Sequence, residues 1–174
     1  AGAHIFSGSW GSTENINSQA TTILDKYSYS SDDEFLGIFA AGNEGQEGDY
    51  SVGDPAFAKN ALTVGAHESN WNFAVFGMSN TATWRTADQT NMAYFSSMGP
   101  TYDFRIKPDI ASPGMFVNAA KAAGSESCGF GGEAGTSSAT ALTSGIAALV
   151  RQYYMDSSFH EAVTSPLVPA FTPS

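Results

Sequence analysis

Basic residues are scarce in this sequence: seven Lys and Arg stand against 17 Asp and Glu, for a net charge of −10. A field of that sign repels phosphate backbones and anionic lipid, which argues against nucleic acid or a membrane surface as a partner. Cysteine is scarcer. Cys128 is the only one, so no internal disulfide forms, and no Cys/His cluster at zinc spacing exists. No Asp/Asn loop of calcium spacing accompanies the acidic excess, so the charge reads as solubility and no metal site is assigned. Long apolar runs are missing as well: none approaches the ~20 residues of a membrane span. The opening Ala1-Gly2-Ala3-His4-Ile5 has neither an initiator Met nor a signal-peptide pattern and reads as a start in mid-protein. Asn-x-Ser/Thr glycosylation acceptors do not occur.

What is present suits one α/β domain. The 174 residues, 42% of them hydrophobic, can bury one sizeable core, and 18 glycines point to many loops and closely approaching backbones. Ala3 to Ser7 reads as a short strand running into the Gly8-Ser9-Trp10-Gly11 turn cluster. Ala20, Ile23, Leu24 and Tyr27 fall at helical spacing and predict a helix within Asn15 to Tyr29. Phe35 to Ala41 and Ala61 to Ala66 are apolar runs of strand length, as buried parallel strands are. His67 to Tyr94 is irregular; Phe95-Ser96-Ser97-Met98-Gly99-Pro100 reads as a turn, and Lys107 to Gly114 as a proline-clamped segment in which the prolines argue against helix. The strongest helix runs from Ser137 to Met155, with Ile146, Leu149, Val150 and Tyr153 in one stripe. Small residues in its first half predict a central, buried helix. From Ser165, with Pro166, Pro169 and Pro173, the chain reads as a linker, which gives residues 1–160 as domain and 161–174 as linker or tail. Strand, helix, strand, loop, strand is the order of an α/β sheet.

A serine becomes a useful nucleophile when a base takes its proton and nearby donors hold the oxyanion that develops. Gly131-Gly132-Glu133-Ala134-Gly135-Thr136 reads as a flexible approach to Ser137, which opens the predicted helix where unpaired N–H groups and the dipole favour negative charge. The same position suits a plain N-cap, and on the helix start alone the cap is the commoner role. A second feature shifts the balance. Ala40-Ala41-Gly42-Asn43-Glu44-Gly45 ends a buried strand and sets an Asn amide at the carboxyl edge of the sheet, where open α/β sheets build their sites. Such an amide can donate to an oxyanion, although Asn-Glu-Gly alone is a turn.

Phe39-Ala40-Ala41-Gly42-Asn43-Glu44-Gly45 and Gly135-Thr136-Ser137-Ser138-Ala139-Thr140-Ala141 closely resemble the oxyanion and nucleophile signatures of subtilisin-like serine proteases, the subtilases, in the same order. Lys59 to Ala66, Phe95 to Pro100 and Arg105 to Gly114 resemble the family's intervening motifs, so the resemblance covers roughly Ile5 to Tyr154. The sequence is similar in particular to the large, oxidation-tolerant branch that carries an added C-terminal β-domain. The resemblance implies a three-layer α/β subtilisin-like fold with a mostly parallel sheet and a buried helix starting at the nucleophile. It implies a secreted or otherwise exported serine endopeptidase acting on polypeptide through an acyl-enzyme on Ser137, with the Ser137 N–H and the Asn43 side chain as oxyanion donors. Ser9-Trp10-Gly11 would pair with extended substrate backbone as an added strand. Ala41, Gly42 and Gly53 would line the primary specificity pocket, and Thr136 would join them as a substrate-binding residue. Asp54 nearby would favour a basic side chain, or would serve only as a turn residue before Pro55. Calcium is the one cofactor the resemblance leaves open. Ser138 stands where the family usually has Met, and Ala141 where it has Pro. Neither change removes a catalytic atom; the first removes an oxidisable thioether beside the nucleophile.

An Asp and a His complete such a triad, and the family supplies them from Asp-Thr/Ser-Gly and His-Gly-Thr motifs. Neither motif occurs here. His4, His67 and His160 are not followed by Gly and read as surface or packing residues. The catalytic Asp and His are therefore expected on an N-terminal segment outside this sequence, either continuous with it or a separate associated chain, and the chain alone is expected to be inactive. The alternative is a catalytically inactive scaffold that binds peptides. A lipase or esterase fails because Gly135-Thr136-Ser137-Ser138-Ala139 ends in Ala where the nucleophile elbow needs Gly.

Overall fold

Four parallel strands lie side by side in the order β1-β2-β3-β4: β1 (Ile5–Gly8), β2 (Leu36–Ala40), β3 (Leu62–Glu68) and β4 (Ile110–Met115). They are seen in a computed structural model that describes residues 2–31, 34–69, 88–122, 124 and 128–156. Most of the irregular stretch after His67, together with His160 and the tail from Ser165, lies outside the described residues. The uniform apolarity of β2 has a direct cause: it is covered on both faces. Ile38 packs with Val64, Ala66 and Ala139 on one side, while Phe39 and Ala41 pack with Val52, Ala56 and Ala58 on the other. A strand with one wet face would alternate instead.

Helix α1 (Gln19–Lys26) covers the Phe39 face through Leu24. It is shorter than the Asn15 to Tyr29 pattern because Ser18 caps it, its Oγ accepting from the Thr21 N–H at 3.2 Å, and because Tyr27–Ser31 continue as a π-helical turn. On the opposite face lies α2 (Thr136–Met155), with Thr136, Ala139, Thr140 and Thr143 buried. Helix, sheet, helix is the expected three-layer order.

Two readings are corrected. The proline-clamped segment runs into β4, and Pro113 is tolerated because β4 pairs only with β3 among the described strands, so its missing N–H breaks no second ladder there. The first half of the glycine-rich approach to Ser137 is strand: β5 (Val117–Ala122) and β6 (Cys128–Glu133) form an antiparallel ribbon in which Ala119 faces Gly131. Gly131 is a close-approach position, since a Cβ there would meet Lys121 Cδ at 2.9 Å.

The buried side of α2 is the one that meets the sheet. Small residues line its sheet side, but Ile146, Leu149 and Val150 are 51%, 65% and 51% exposed. Beneath its C-terminal half runs an apolar groove of about 470 Å³, lined by Ile5, Leu36, Leu62, Ile110, Ile146 and Val150 among others. Close approach to the sheet, rather than enclosure, is what the small residues supply.

Candidate active site

The site begins with how α2 starts. Gly135, with φ 157°, is the N-cap residue and offers no side chain to cap with. Ser137 is the second residue of the helix, so the plain N-cap role falls away. Its Oγ donates to the Ser9 carbonyl at 3.3 Å, and Ser9 Oγ donates back to the Ser137 carbonyl at 3.0 Å. The Ser137 N–H lies in the first turn, where no carbonyl exists four residues back inside the helix.

The cap comes from across the sheet. The Thr136 N–H donates to Asn43 Oδ1 at 2.9 Å, and the Thr136 hydroxyl lies 3.0 Å from the same oxygen. A backbone N–H can only donate, so the atom facing it must be the amide oxygen, and Nδ2 is left as the outward donor. Asn43 Nδ2 makes no hydrogen bond to the described residues.

Asn43 is set by a buckle at the end of β2. Gly42 has φ 114°, a conformation that side chains rarely adopt, and a Cβ there would meet Ser97 Oγ at 2.6 Å. The Ser97 N–H donates to the Gly42 carbonyl at 3.1 Å, and Ser97 Oγ accepts from the Glu44 N–H at 3.0 Å. Glu44 Oε2 then accepts from the Asn43 N–H at 2.7 Å. Sequence reading missed both Glu44 and Ser97 as site residues. They stood inside motifs already noted, but nothing in their spacing says that one motif clips the other.

A cleft of about 230 Å³ opens between these parts, lined by Ser9–Thr13 on one wall and Ala40–Glu44 on the other. Gly53 and Asp54 join the walls: the Gly53 N–H donates to the Ala41 carbonyl at 3.3 Å, and the Ser12 N–H donates to the Asp54 carbonyl at 2.7 Å. Ser137 and Thr136 complete the lining. All nine residues singled out from sequence thus meet at one place: Ser137, Asn43, Ser9, Trp10, Gly11, Ala41, Gly42, Gly53 and Thr136. The Trp10 ring is anchored edge-on against Phe39 at 5.7 Å. Asp54 Oδ1 accepts from the hydroxyls of Ser18, at 2.6 Å, and Thr21.

Among the described residues no histidine lines the cleft. His4 Nδ1 lies 3.3 Å from Glu34 Oε2 beside the apolar groove, and His67 Nδ1 lies 2.7 Å from the Glu68 carbonyl oxygen. Among the described residues no group of three or more His, Cys, Asp or Glu could hold a metal ion. No helix among them is long and apolar enough to cross a membrane.

Residues 1–168 match the family model described as Subtilase family. The chain belongs to the subtilase family. Among curated proteins, this subtilase is 34% identical over 127 residues to the serine protease AprX of Bacillus subtilis, a match covering 67% of the chain and 26% of AprX. It is 38% identical over 81 residues to the serine protease/ABC transporter B family protein tagD of Dictyostelium discoideum, covering 40% of the chain and 4% of tagD. Among solved structures, the prenylagaramide maturation protease PagA superposes with a TM-score of 0.60 at 27% identity, covering 86% of this subtilase and 44% of PagA. The chain therefore spans less than half the length of each of these proteins.

Proposed function

We propose that this chain is the nucleophile-bearing part of a serine endopeptidase that cleaves polypeptide through an acyl-enzyme on Ser137. The observation that carries the reading is the Asn43 amide, whose oxygen is held by Thr136 so that its nitrogen remains a donor in the cleft that Ser137 lines. Extended substrate backbone lies along Ser9-Trp10-Gly11, which places the scissile carbonyl at Ser137 Oγ. As Oγ attacks, its proton passes to a histidine held by an aspartate, and the carbonyl oxygen becomes an oxyanion accepting from the Ser137 N–H and Asn43 Nδ2. Collapse releases the amine with that proton and leaves the acyl group on Oγ, and a water then completes hydrolysis.

The aspartate and histidine come from an N-terminal segment outside these residues. Support for this is twofold. No histidine among the described residues lines the cleft, and the Ser137 hydroxyl donates to the Ser9 carbonyl. In addition, β1 pairs only with β2 among the described strands, with Phe6 42% exposed on it. Activity outside the cytoplasm fits the family's common habit of secretion.

A fluorophosphonate probe tests the reading. The native full-length protein should be labelled at Ser137 and should hydrolyse peptides, whereas purified residues 1–174 should do neither. Turnover by residues 1–174 alone would overturn the external aspartate and histidine. An unlabelled native protein would favour the peptide-binding scaffold.

A further inference from the structure

We infer that the cleft selects a Lys or Arg side chain on the substrate residue whose carbonyl is attacked, and that Asp54 is the residue that selects it. The inference rests on the proposed reading, in which this cleft receives that side chain.

The walls decide what can enter. Ala40, Ala41 and Gly42 present no bulk, and a Cβ built at Gly11 would stand 2.8 Å from the Asp54 carbonyl oxygen. Backbone therefore forms much of the lining, and the space of about 230 Å³ suits one long, unbranched side chain. Its methylene stem can lie along Ala40 and Ala41 while its head reaches the Gly53-Asp54 junction. None of the described Lys or Arg residues lines the cleft, and two acidic residues, Asp54 and Glu44, do. Lys107 and Arg105 are engaged elsewhere, Lys107 with Asp109 and Ala61, and Arg105 with Asp103.

Asp54 also carries more than its structural task requires. The Ser12 N–H pins its backbone, and the Ser18 and Thr21 hydroxyls both donate to Oδ1. A neutral Asn could accept both hydroxyls through one oxygen, so those bonds do not call for a charge. Oδ2 takes no hydrogen bond from the described residues. Glu44 is similar: Oε2 accepts from the Asn43 N–H at 2.7 Å and from Ser97 Oγ at 3.3 Å, while Oε1 takes none. A cationic head entering a half-enclosed space lined by two acidic residues is attracted by their charge, and an acidic one is repelled.

The test uses the native full-length protein with peptides that differ only at the residue before the cut, carrying Lys, Arg, Leu or Glu there. Cleavage is read as kcat/KM. In parallel, binding of product-like peptides ending in the same residues is read by fluorescence anisotropy. Lys and Arg peptides should exceed Leu by tenfold or more in both readouts, with Glu weakest. Asp54→Asn should move the Lys-to-Leu ratio toward one. Turnover with Leu equal to or above Lys overturns the inference and leaves the endopeptidase reading intact. Absence of turnover together with Lys-selective binding that Asp54→Asn removes supports the inference and overturns the enzyme reading. Equal binding of all four peptides, or a ratio unmoved in Asp54→Asn, overturns the inference.

Discussion

The Thr136 N–H donates to Asn43 Oδ1 at 2.9 Å across 93 residues of sequence, and this one bond does two things. It supplies the cap that Gly135 cannot give to α2, and it orients the Asn43 amide with nitrogen outward. Helix start and the proposed oxyanion donor are thereby one device, so neither can shift without the other.

Asn43→Ala should lower kcat far more than it raises KM, because the donor is used where charge develops. Removal of one such donor in subtilisin, itself a member of this family, costs about 10²–10³-fold in kcat, and that borrowed magnitude is the expectation here. Steady-state kinetics of the native full-length enzyme checks it. Thr136→Val keeps the N–H bond but deletes the hydroxyl, and should fall between wild type and Asn43→Ala.

Gly53→Ala should damage both stability and the cleft. A Cβ at Gly53 would overlap the Ser12 carbonyl oxygen, so the 53–54 and 12–13 segments must part to admit it. Overpacking of this kind costs about 1–3 kcal/mol. Thermal unfolding should show the loss, and KM for peptides should rise because the junction between the walls has opened.

Lys107 supplies a prediction with a pH sign. Its ammonium is buried, donating to the Ala61 carbonyl at 2.8 Å and to Asp109 Oδ2 at 2.7 Å, and that oxygen also accepts from the Thr63 N–H. Burial pushes the Lys107 pKa below its ordinary 10.5, against the opposing pull of Asp109. Between the lowered value and 10.5 the unfolded chain holds a proton that the folded chain has lost, so this group makes stability rise with pH across that window. Lys107→Met should lower stability at neutral pH by about 1.5–3 kcal/mol, the worth of hydrogen bonds to a charged group. It should also abolish that part of the rise, as denaturant titrations at several pH values would show.

Ser138→Met should make the enzyme sensitive to peroxide. Ser138 follows the proposed nucleophile, Ser137, and has no oxidisable sulfur, whereas a thioether there would become a bulky polar sulfoxide beside it. The half-life of activity in hydrogen peroxide should shorten severalfold in Ser138→Met. An unchanged half-life would place the controlling methionine elsewhere.

Sequence patterns located β2, β3 and α2 well, because strands covered on both faces and a helix packed on a sheet need apolar residues that no turn would choose. They located β4 and the β5–β6 ribbon poorly. Prolines and glycines signal breaks locally, and only an edge position among the described strands for Pro113 or a lysine stem lying over Gly131 makes them acceptable in strands. The site shows the same division. Ser137 and Asn43 stood out only once their motifs were taken together, while Glu44 and Ser97 carried no signal of their own.

The sequence by itself determined the apolar runs, the glycines that force Gly42 and Gly53 into close quarters, and the serine at a helix start. Only the tertiary structure decided that Ser137 is no cap, that Asn43 caps in its place, and that α2 leaves Ile146 and Leu149 uncovered. The reason is physical. Local chemistry fixes what a residue can donate, accept or tolerate, but its partner here lies 93 positions away and is chosen by how the strands bring β2 beneath the start of α2.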